Sequence, residues 1–176
     1  MDPSQYTGKE WTELLRQLNG RQIKNALKGA YRKEANNATK IARRYLHSSG
    51  LQVKGNFADW DRGIRPYVYS RGGGFLVTVK ARAKSKRNSK EAGMHENRFG
   101  IKKPILMFAE EGTRFRMTKT RTKVFKRLRK GHPTGRMQAY GFLEKATPEM
   151  YRSVEQGLQP ELEKSVVKQA KKAGFV

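Results

Sequence analysis

The sequence predicts a fold of the α+β class, in which a small antiparallel β-sheet is flanked by a long N-terminal helix and a C-terminal helix. Three observations predict this class. Apolar residues recur at helical spacing in the first fifty residues, β-rich segments with glycine turns follow, and helical spacing returns near the C-terminus. Strands and helices do not alternate, which disfavours a parallel sheet. Because 176 residues is a length typical of one domain, we expect residues 1–176 to fold as a single domain.

Two helical segments are predicted in the N-terminal third. Thr7 and Glu10 have the spacing of a capping box, and Asn19-Gly20 offers a stop or a kink after the first segment. A longer amphipathic run follows and ends at His47-Ser48-Ser49-Gly50. Small residues on its apolar face should permit close approach to a sheet or to a second helix, and these are Ala26, Ala30, Ala38 and Ala42.

The middle of the chain changes to β-rich segments. Tyr67-Val68-Tyr69 and the segment 75–79 are separated by 70–74, where glycine supplies positive φ, so we predict a β-hairpin. Farther on, 104–109 reads as an apolar strand or a short helix that runs into Glu110-Glu111-Gly112-Thr113. The glycine of this turn is predicted to adopt a positive φ.

The C-terminal part of the chain predicts a last helix. Thr147-Pro148-Glu149 offers a hydroxyl N-cap, a proline at the first helical position and an acid in the first turn, so we expect the helix to begin there. Pro160 should kink or interrupt it. The segment that precedes the helix should be buried beneath it through Met137, Ala139, Phe142, Leu143 and Ala146.

The chain is strongly basic, with 39 Lys and Arg residues against 15 Asp and Glu residues and a formal net charge of +24. Residues 81–136 hold 18 basic against 4 acidic residues, whereas the last forty residues are almost neutral. We therefore predict two long basic loops or insertions, 83–103 and 114–135, which could be solvated loops or could contact DNA or acidic proteins. The candidate contact residues are Lys84, Lys86, Arg87, Arg114, Arg116, Lys119, Arg121, Lys123, Lys126, Arg127, Arg129 and Lys130.

The residue types that carry catalysis and metal binding are scarce. The absence of cysteine excludes a disulfide framework, a Cys-ligated zinc site and a thiol nucleophile. The three histidines lie far apart without acids at ligand spacing, and Gly72-Gly73-Gly74 lacks the Lys-Ser/Thr of a phosphate-binding P-loop. We therefore predict a protein that is not an enzyme and uses no cofactor or metal. We expect Glu110 and Glu111 to form salt bridges at an interface instead of acting in acid–base chemistry.

Targeting signals are also missing from the sequence. No run approaches the ~18–20 apolar residues that a membrane span needs, and the N-terminus lacks a basic region followed by an apolar one. We therefore expect a protein that is made in the cytoplasm and does not bind a membrane.

Two short motifs give a more specific indication than the charge. The first is Phe108-Ala109 followed by Glu110-Glu111-Gly112-Thr113, and the second is the segment 136–146. In their order they resemble the gene-product-ten-like head–tail joining family of long-tailed double-stranded-DNA phages and prophages. That family shows an aromatic-Ala pair, an acidic-x-Gly-Thr turn and a Met-x-Ala-x-Pro-Phe-Leu-x-x-Ala segment before the last helix, and Gly141 stands here at the proline position. The family-like turn and core residues are Glu110, Glu111, Gly112, Thr113, Met137, Ala139, Phe142 and Leu143.

The resemblance implies a structural virion protein of the phage neck, where head–tail joining or tail completion takes place. Such proteins are expected to form rings, as hexamers or dodecamers, through which the genome passes. The implied partners are other copies of the chain, neighbouring head-connector and tail proteins, and DNA in the channel. The implied location is the virion, after assembly in the host cytoplasm. The residues also leave an alternative open, a basic protein that binds nucleic acid without sequence preference.

Overall fold

The structure, a computed structural model of the chain, describes residues 8–52, 60–79, 94–96, 102–114, 116–118 and 132–175. Within these ranges the helices are α1 (Gly8–Gln17), α2 (Gly20–Ser48), α3 (Ile105–Glu111) and α4 (Phe142–Lys172). The strands are β1 (Ile64–Val68), β2 (Phe75–Val79), β3 (Met94–Glu96), β4 (Lys102–Pro104), β5 (Arg116–Thr118) and β6 (His132–Gly135). The predicted α+β class, with a long helix near each end of the chain, is confirmed.

The strands form three two-stranded sheets, in the orders β1-β2, β3-β4 and β5-β6. The predicted hairpin joins β1 to β2, and its turn is closed where the Tyr69 amide donates to the Gly74 carbonyl at 3.0 Å. Gly72 has φ +78° in this turn, as the glycine run predicted. A small antiparallel sheet is therefore present, and the other two strand pairs are separate from it.

Short strands occur in both basic segments that the sequence predicts to be loops, in the second half of 83–103 and near the two ends of 114–135. β3 pairs antiparallel with β4, so that His95 lies opposite Lys103. β5 pairs antiparallel with β6, with an irregularity between Arg116 and Met117. At these positions the backbone amides and carbonyls of the outgoing and returning segments satisfy one another, which a plain loop would not achieve. The remaining residues of both segments lie outside the described ranges.

The chain divides into two compact units, and the divisions fall inside α2 and α4. The first unit comprises Met1–Arg44, Ile64–Thr78 and Ala146–Val176, and the second comprises Tyr45–Gly63 and Val79–Lys145. The expectation that residues 1–176 form one domain stays a prediction.

The core of the first unit is shared by α1, α2 and α4. Its buried cluster contains Leu14 and Leu18 of α1, Ala26 of α2, and Val166 and Ala170 of α4. The alanine stripe of α2 is buried along most of its length, in agreement with the prediction that it would face another element. Small side chains here let the helix backbones approach one another, because they add little width at the contact.

A reciprocal cap separates α1 from α2. The Asn19 side-chain oxygen accepts from the Gln22 amide at 2.9 Å, and the Gln22 side-chain oxygen accepts from the Asn19 amide at 2.8 Å. This arrangement satisfies two amides at the start of α2, as a capping box does. The predicted stop at Asn19-Gly20 is confirmed, whereas the box at Thr7 lies outside the described residues.

The predicted start of the last helix is wrong. α4 begins at Phe142, five residues before Thr147, and it continues through both Pro148 and Pro160. The earlier start has a tertiary cause, because a carboxylate from α3 caps the helix, as described below. Proline has no amide hydrogen, so one carbonyl in the preceding turn of the helix lacks its usual donor. Because Pro160 is exposed, water can donate to that carbonyl, and the helix is not interrupted.

A carboxyl group is buried where α2 meets α4. Glu34 is 1% exposed, and a Cβ atom added at Gly157 of α4 would lie 2.7 Å from its Oε2. Asn37 donates to Oε1 at 3.3 Å, while Oε2 has no hydrogen-bond partner within the described part of the chain. Burial, with a smaller contribution from the charge of Glu161, raises the pKa of Glu34. Glycine at position 157 is what leaves room for this carboxyl group.

We expect Glu34→Gln to change how stability depends on pH. Since the pKa of Glu34 is raised, the folded chain holds the proton more tightly than the unfolded chain. The free energy of unfolding should therefore fall as pH rises from about the ordinary value of 4.5 through the raised pKa. Glu34→Gln should remove this decline and be more stable than the wild type at pH 8 by on the order of 1 kcal/mol. Urea unfolding between pH 4 and 9 measures the effect.

The matched control for this prediction is Glu155→Gln, which changes an exposed carboxylate that also belongs to the first unit. The control should reproduce the wild-type pH profile. A Glu34→Gln profile that is parallel to the wild-type profile would contradict the assignment of a buried, proton-binding carboxyl group.

Candidate functional site

The two motifs of the sequence meet in the second unit, at a site that we call the motif junction, formed by residues 109–113 and 137–144. The Thr113 amide donates to the Met137 carbonyl at 2.9 Å, and the Met137 amide donates to the Thr113 hydroxyl at 2.9 Å. Two further bonds continue the pairing, from the Tyr140 amide to the Ala109 carbonyl at 2.9 Å and from the Gly141 amide to the Glu110 carbonyl at 3.2 Å. The end of α3 and the segment that leads into α4 are therefore joined backbone to backbone.

The Glu110 carboxylate caps α4 from the side of α3. Its Oε2 accepts from the Leu143 amide at 2.9 Å and its Oε1 accepts from the Glu144 amide at 3.0 Å. The first amides of a helix have no partner within the helix, and the positive end of the helix dipole favours an anion there. Glu110 therefore caps a helix of its own chain, a role that was not predicted, and the interface salt bridge expected for it stays a prediction.

Gly112 lets the two segments of the junction touch. It has φ +74°, as predicted, and ends α3. A Cβ atom at this position would lie 2.9 Å from the Ala139 amide nitrogen and 3.0 Å from the Met137 carbonyl oxygen. A side chain is thus disfavoured twice, by the backbone conformation and by the neighbouring backbone.

The other family-like residues have different environments. Phe142 and Ala146 are buried, while Met137 and Leu143 are half-buried. Ala139 is exposed, so the prediction that it is buried under the last helix is wrong, because its backbone and not its side chain faces Gly112. Glu111 is exposed at the end of α3.

Most of the predicted basic contact residues are not described by the structure. Arg114 is exposed directly after the junction, and the backbone of Arg116 belongs to β5. The remaining ten lie outside the described ranges, so their role stays a prediction: Lys84, Lys86, Arg87, Lys119, Arg121, Lys123, Lys126, Arg127, Arg129 and Lys130.

A second feature, which the sequence analysis did not predict, is a groove between α2 and α4 in the first unit. We call it the basic groove, and its volume is about 650 Å³. The helices approach closely along it, because a Cβ atom at Gly29 would lie 3.1 Å from the Ser165 hydroxyl oxygen. The lining residues are Asn25, Lys28, Gly29, Arg32, Lys33, Glu161, Lys164, Ser165, Lys168, Gln169 and Lys172.

The charge of the basic groove is only partly compensated. Among the described lining residues the one carboxylate is that of Glu161, which lies 2.8 Å from the Lys33 ammonium and 3.3 Å from that of Lys164. The hydrogen bond from Lys33 is the largest of the effects that hold the pKa of Glu161 below its usual value. Within the described ranges, the other four cations of the groove form no ion pair: Lys28, Arg32, Lys168 and Lys172.

The spacing of lysine and arginine residues in the sequence could have predicted this groove. Lys164, Lys168 and Lys172 recur every fourth residue, as do Lys28 and Arg32, so each set lies along one helix face. The last forty residues are almost neutral overall, so their net charge did not indicate the row of lysines on α4. The acids of this segment lie on other faces of α4 or pair with lysines. Average charge over a segment therefore missed a feature that spacing would have found.

Nowhere in the residues that the structure describes do three or more His, Cys, Asp or Glu side chains gather as a metal site would require. The His47 ring lies 2.8 Å from the Asp61 carboxylate, which is a single pair. None of the described helices has the length and apolar character to cross a membrane. Comparison of the chain with protein-family models, curated proteins and solved structures gives no match.

We expect Glu110→Ala to lower the free energy of unfolding by about 1–2 kcal/mol, since it removes the acceptor for two helix amides. Amide hydrogen exchange at Leu143 and Glu144 should accelerate in the same variant. Glu111→Ala is the matched control, because it removes the exposed neighbouring carboxylate and should leave exchange at both amides unchanged. Equal effects of the two variants would contradict the cap.

We expect Gly112→Ala to destabilise the chain by more than Gly50→Ala. Both glycines have positive φ, at +74° and +78°, so both variants carry the cost of the backbone conformation. Only Gly112 faces neighbouring backbone, whereas a Cβ atom at Gly50 meets open space. Overpacking should add about 1–3 kcal/mol at position 112. Thermal and urea unfolding of the pair measures the difference, and equal losses would show that the close approach is absent.

Proposed function

We propose that this chain is a structural protein of the phage neck that assembles as a ring at the head–tail interface. The proposal rests on the resemblance of its motifs to those of the head–tail joining family. It is a non-catalytic role, in which the chain acts by holding other chains in position.

The observation that supports the proposal best is the motif junction. Residues that carry the resemblance but lie about thirty positions apart in sequence form one set of contacts, in which Glu110, Gly112 and Thr113 meet the segment 137–144. Each residue has a specific task there: an acid caps a helix, a glycine allows backbone contact, and a threonine forms hydrogen bonds with Met137 of the returning segment. A motif whose members act together is better support than the same residues scattered through the fold.

The motif junction also holds the two ends of the basic segment 114–135 together. The segment begins directly after Thr113 and ends two residues before Met137, and Thr113 and Met137 are joined by two hydrogen bonds. The pairing of β5 with β6 extends the same closure. A long basic insertion held at both ends in this way is suited to reaching a neighbouring subunit, an acidic neck protein or DNA from a defined point.

The proposal is tested by the assembly state of the purified chain. We expect sedimentation velocity and negative-stain imaging to show closed rings at a multiple of the 20.2-kDa chain mass, with six or twelve copies. Gly112→Ala should reduce ring formation more than Gly50→Ala does, because only the first disturbs the motif junction. A chain that stays monomeric up to about 100 μM and binds nucleic acid tightly would contradict the proposal and favour the alternative from the sequence.

A further inference from the structure

We propose that the basic groove between α2 and α4 binds the sugar–phosphate backbone of double-stranded DNA without regard to base sequence. The groove belongs to the first unit of a single chain, so the inference does not rest on ring assembly. It assigns DNA contact to helices, whereas the sequence analysis placed candidate DNA contacts only in the two basic segments.

The charge of the groove is the first step of the argument. Of the eleven described residues that line it, six are cationic and one is acidic. Glu161 is already shared by Lys33 and Lys164, so it leaves the remaining four cations uncompensated within the described ranges. Like charges at this spacing along a helix repel one another, and an incoming polyanion relieves that repulsion.

The arrangement of the cations is the second step. Lys164, Lys168 and Lys172 follow one another at intervals of about 6 Å along α4, since four residues of a helix rise about that distance. Lys28 and Arg32 form a second row on α2. The close contact of Gly29 with Ser165 brings the two helices together, so the groove presents cations from both walls. An extended polymer with a regular charge spacing matches such rows better than a compact anion does.

The polar side chains of the lining are the third step. Asn25, Ser165 and Gln169 supply amide and hydroxyl groups to the lining beside its cations. These groups donate hydrogen bonds to phosphate oxygens, as the side chains at protein–DNA interfaces do. Lysine acts as a point charge for phosphate and does not read base edges, so the expected binding is independent of sequence.

The residue types in the lining also favour duplex DNA over a protein or single-stranded nucleic acid as the partner. Among the described residues that line the groove, none has an apolar side chain, whereas the centre of a protein–protein interface is rich in aromatic and apolar residues and poor in lysine. None of these lining residues is aromatic either, and single-stranded nucleic acid is held mainly by stacking of bases on aromatic side chains. Duplex backbone is the ligand that needs only what the groove contains.

The experiment compares two variants that lose the same charge. The groove variant is K28Q/R32Q/K168Q/K172Q. The control variant, K9Q/R16Q/K40Q/R152Q, removes four exposed helical cations that do not line the groove. Each is titrated onto a fluorescent 24-base-pair duplex of mixed sequence at four salt concentrations. The slope of log K against log salt should flatten by up to about 3.6 in the groove variant, because each phosphate contact contributes about 0.9.

The groove variant should also bind at least about tenfold more weakly than the control variant at 50 mM salt, while both keep the wild-type helical circular dichroism. Equal slopes and equal affinities for the two variants would overturn the proposal, as would a wild-type chain that does not bind the duplex. The ring assay is independent of these outcomes, so rings without groove-dependent DNA binding would reject this inference alone.

A measurement on the wild-type chain removes the dependence on variants. Acetylation of lysines with and without the duplex, read by mass spectrometry, should show protection at Lys168 and Lys172 and none at Lys9 and Lys40. Unprotected groove lysines would overturn the proposal. A poly-glutamate peptide or a single-stranded oligonucleotide of equal total charge should protect these lysines less than the duplex does, and equal or stronger protection by either would assign the groove to that partner instead.

Discussion

The first backbone amides of α4 have no acceptor within the helix, and residues of the second unit supply acceptors for two of them. Glu110 provides both of its carboxylate oxygens to Leu143 and Glu144. For that carboxylate to reach the helix, the end of α3 must lie against the segment that precedes α4, which requires a sharp and narrow turn. Gly112 provides the turn, and Thr113 secures the returning segment at Met137. The requirement that buried or half-buried backbone groups find partners thus explains why these residue types stand where they do.

Close backbone approach is the second constraint, and it acts wherever a glycine leaves out a side chain. In the first unit, Gly29 brings α2 against Ser165 of α4, and Gly157 leaves room for the carboxyl group of Glu34. These two contacts lie beside two features that carry opposite charge. One is the buried acid Glu34, whose pKa is raised, and the other is the surface groove lined by cations. A closely packed helix pair therefore determines where charge is hidden and where it is presented.

The distribution of positive charge has a different meaning in the structure than in the sequence. By composition, the excess is concentrated in residues 81–136, and the final forty residues are almost neutral. In three dimensions the acids of α4 do not cancel its lysines evenly, because Glu161 pairs with Lys164 of α4 and Lys33 of α2, while Lys168 and Lys172 line the groove without an ion pair among the described residues. Electrostatic attraction depends on distance, so a neutral segment can still present a strongly basic surface.

The sequence by itself determined the features that depend on near neighbours. These are the α+β class, the stop at Asn19-Gly20 between α1 and α2, the hairpin turn at Gly72 and the positive φ of Gly112, because each follows from the conformational preferences of a few consecutive residues. Only the tertiary structure decided where α4 begins, that Glu110 is a cap, and that two rows of cationic residues share a groove. Each of these depends on a partner more than thirty residues away, and tertiary contacts outweigh a local start signal such as Thr147-Pro148 when they satisfy more backbone groups.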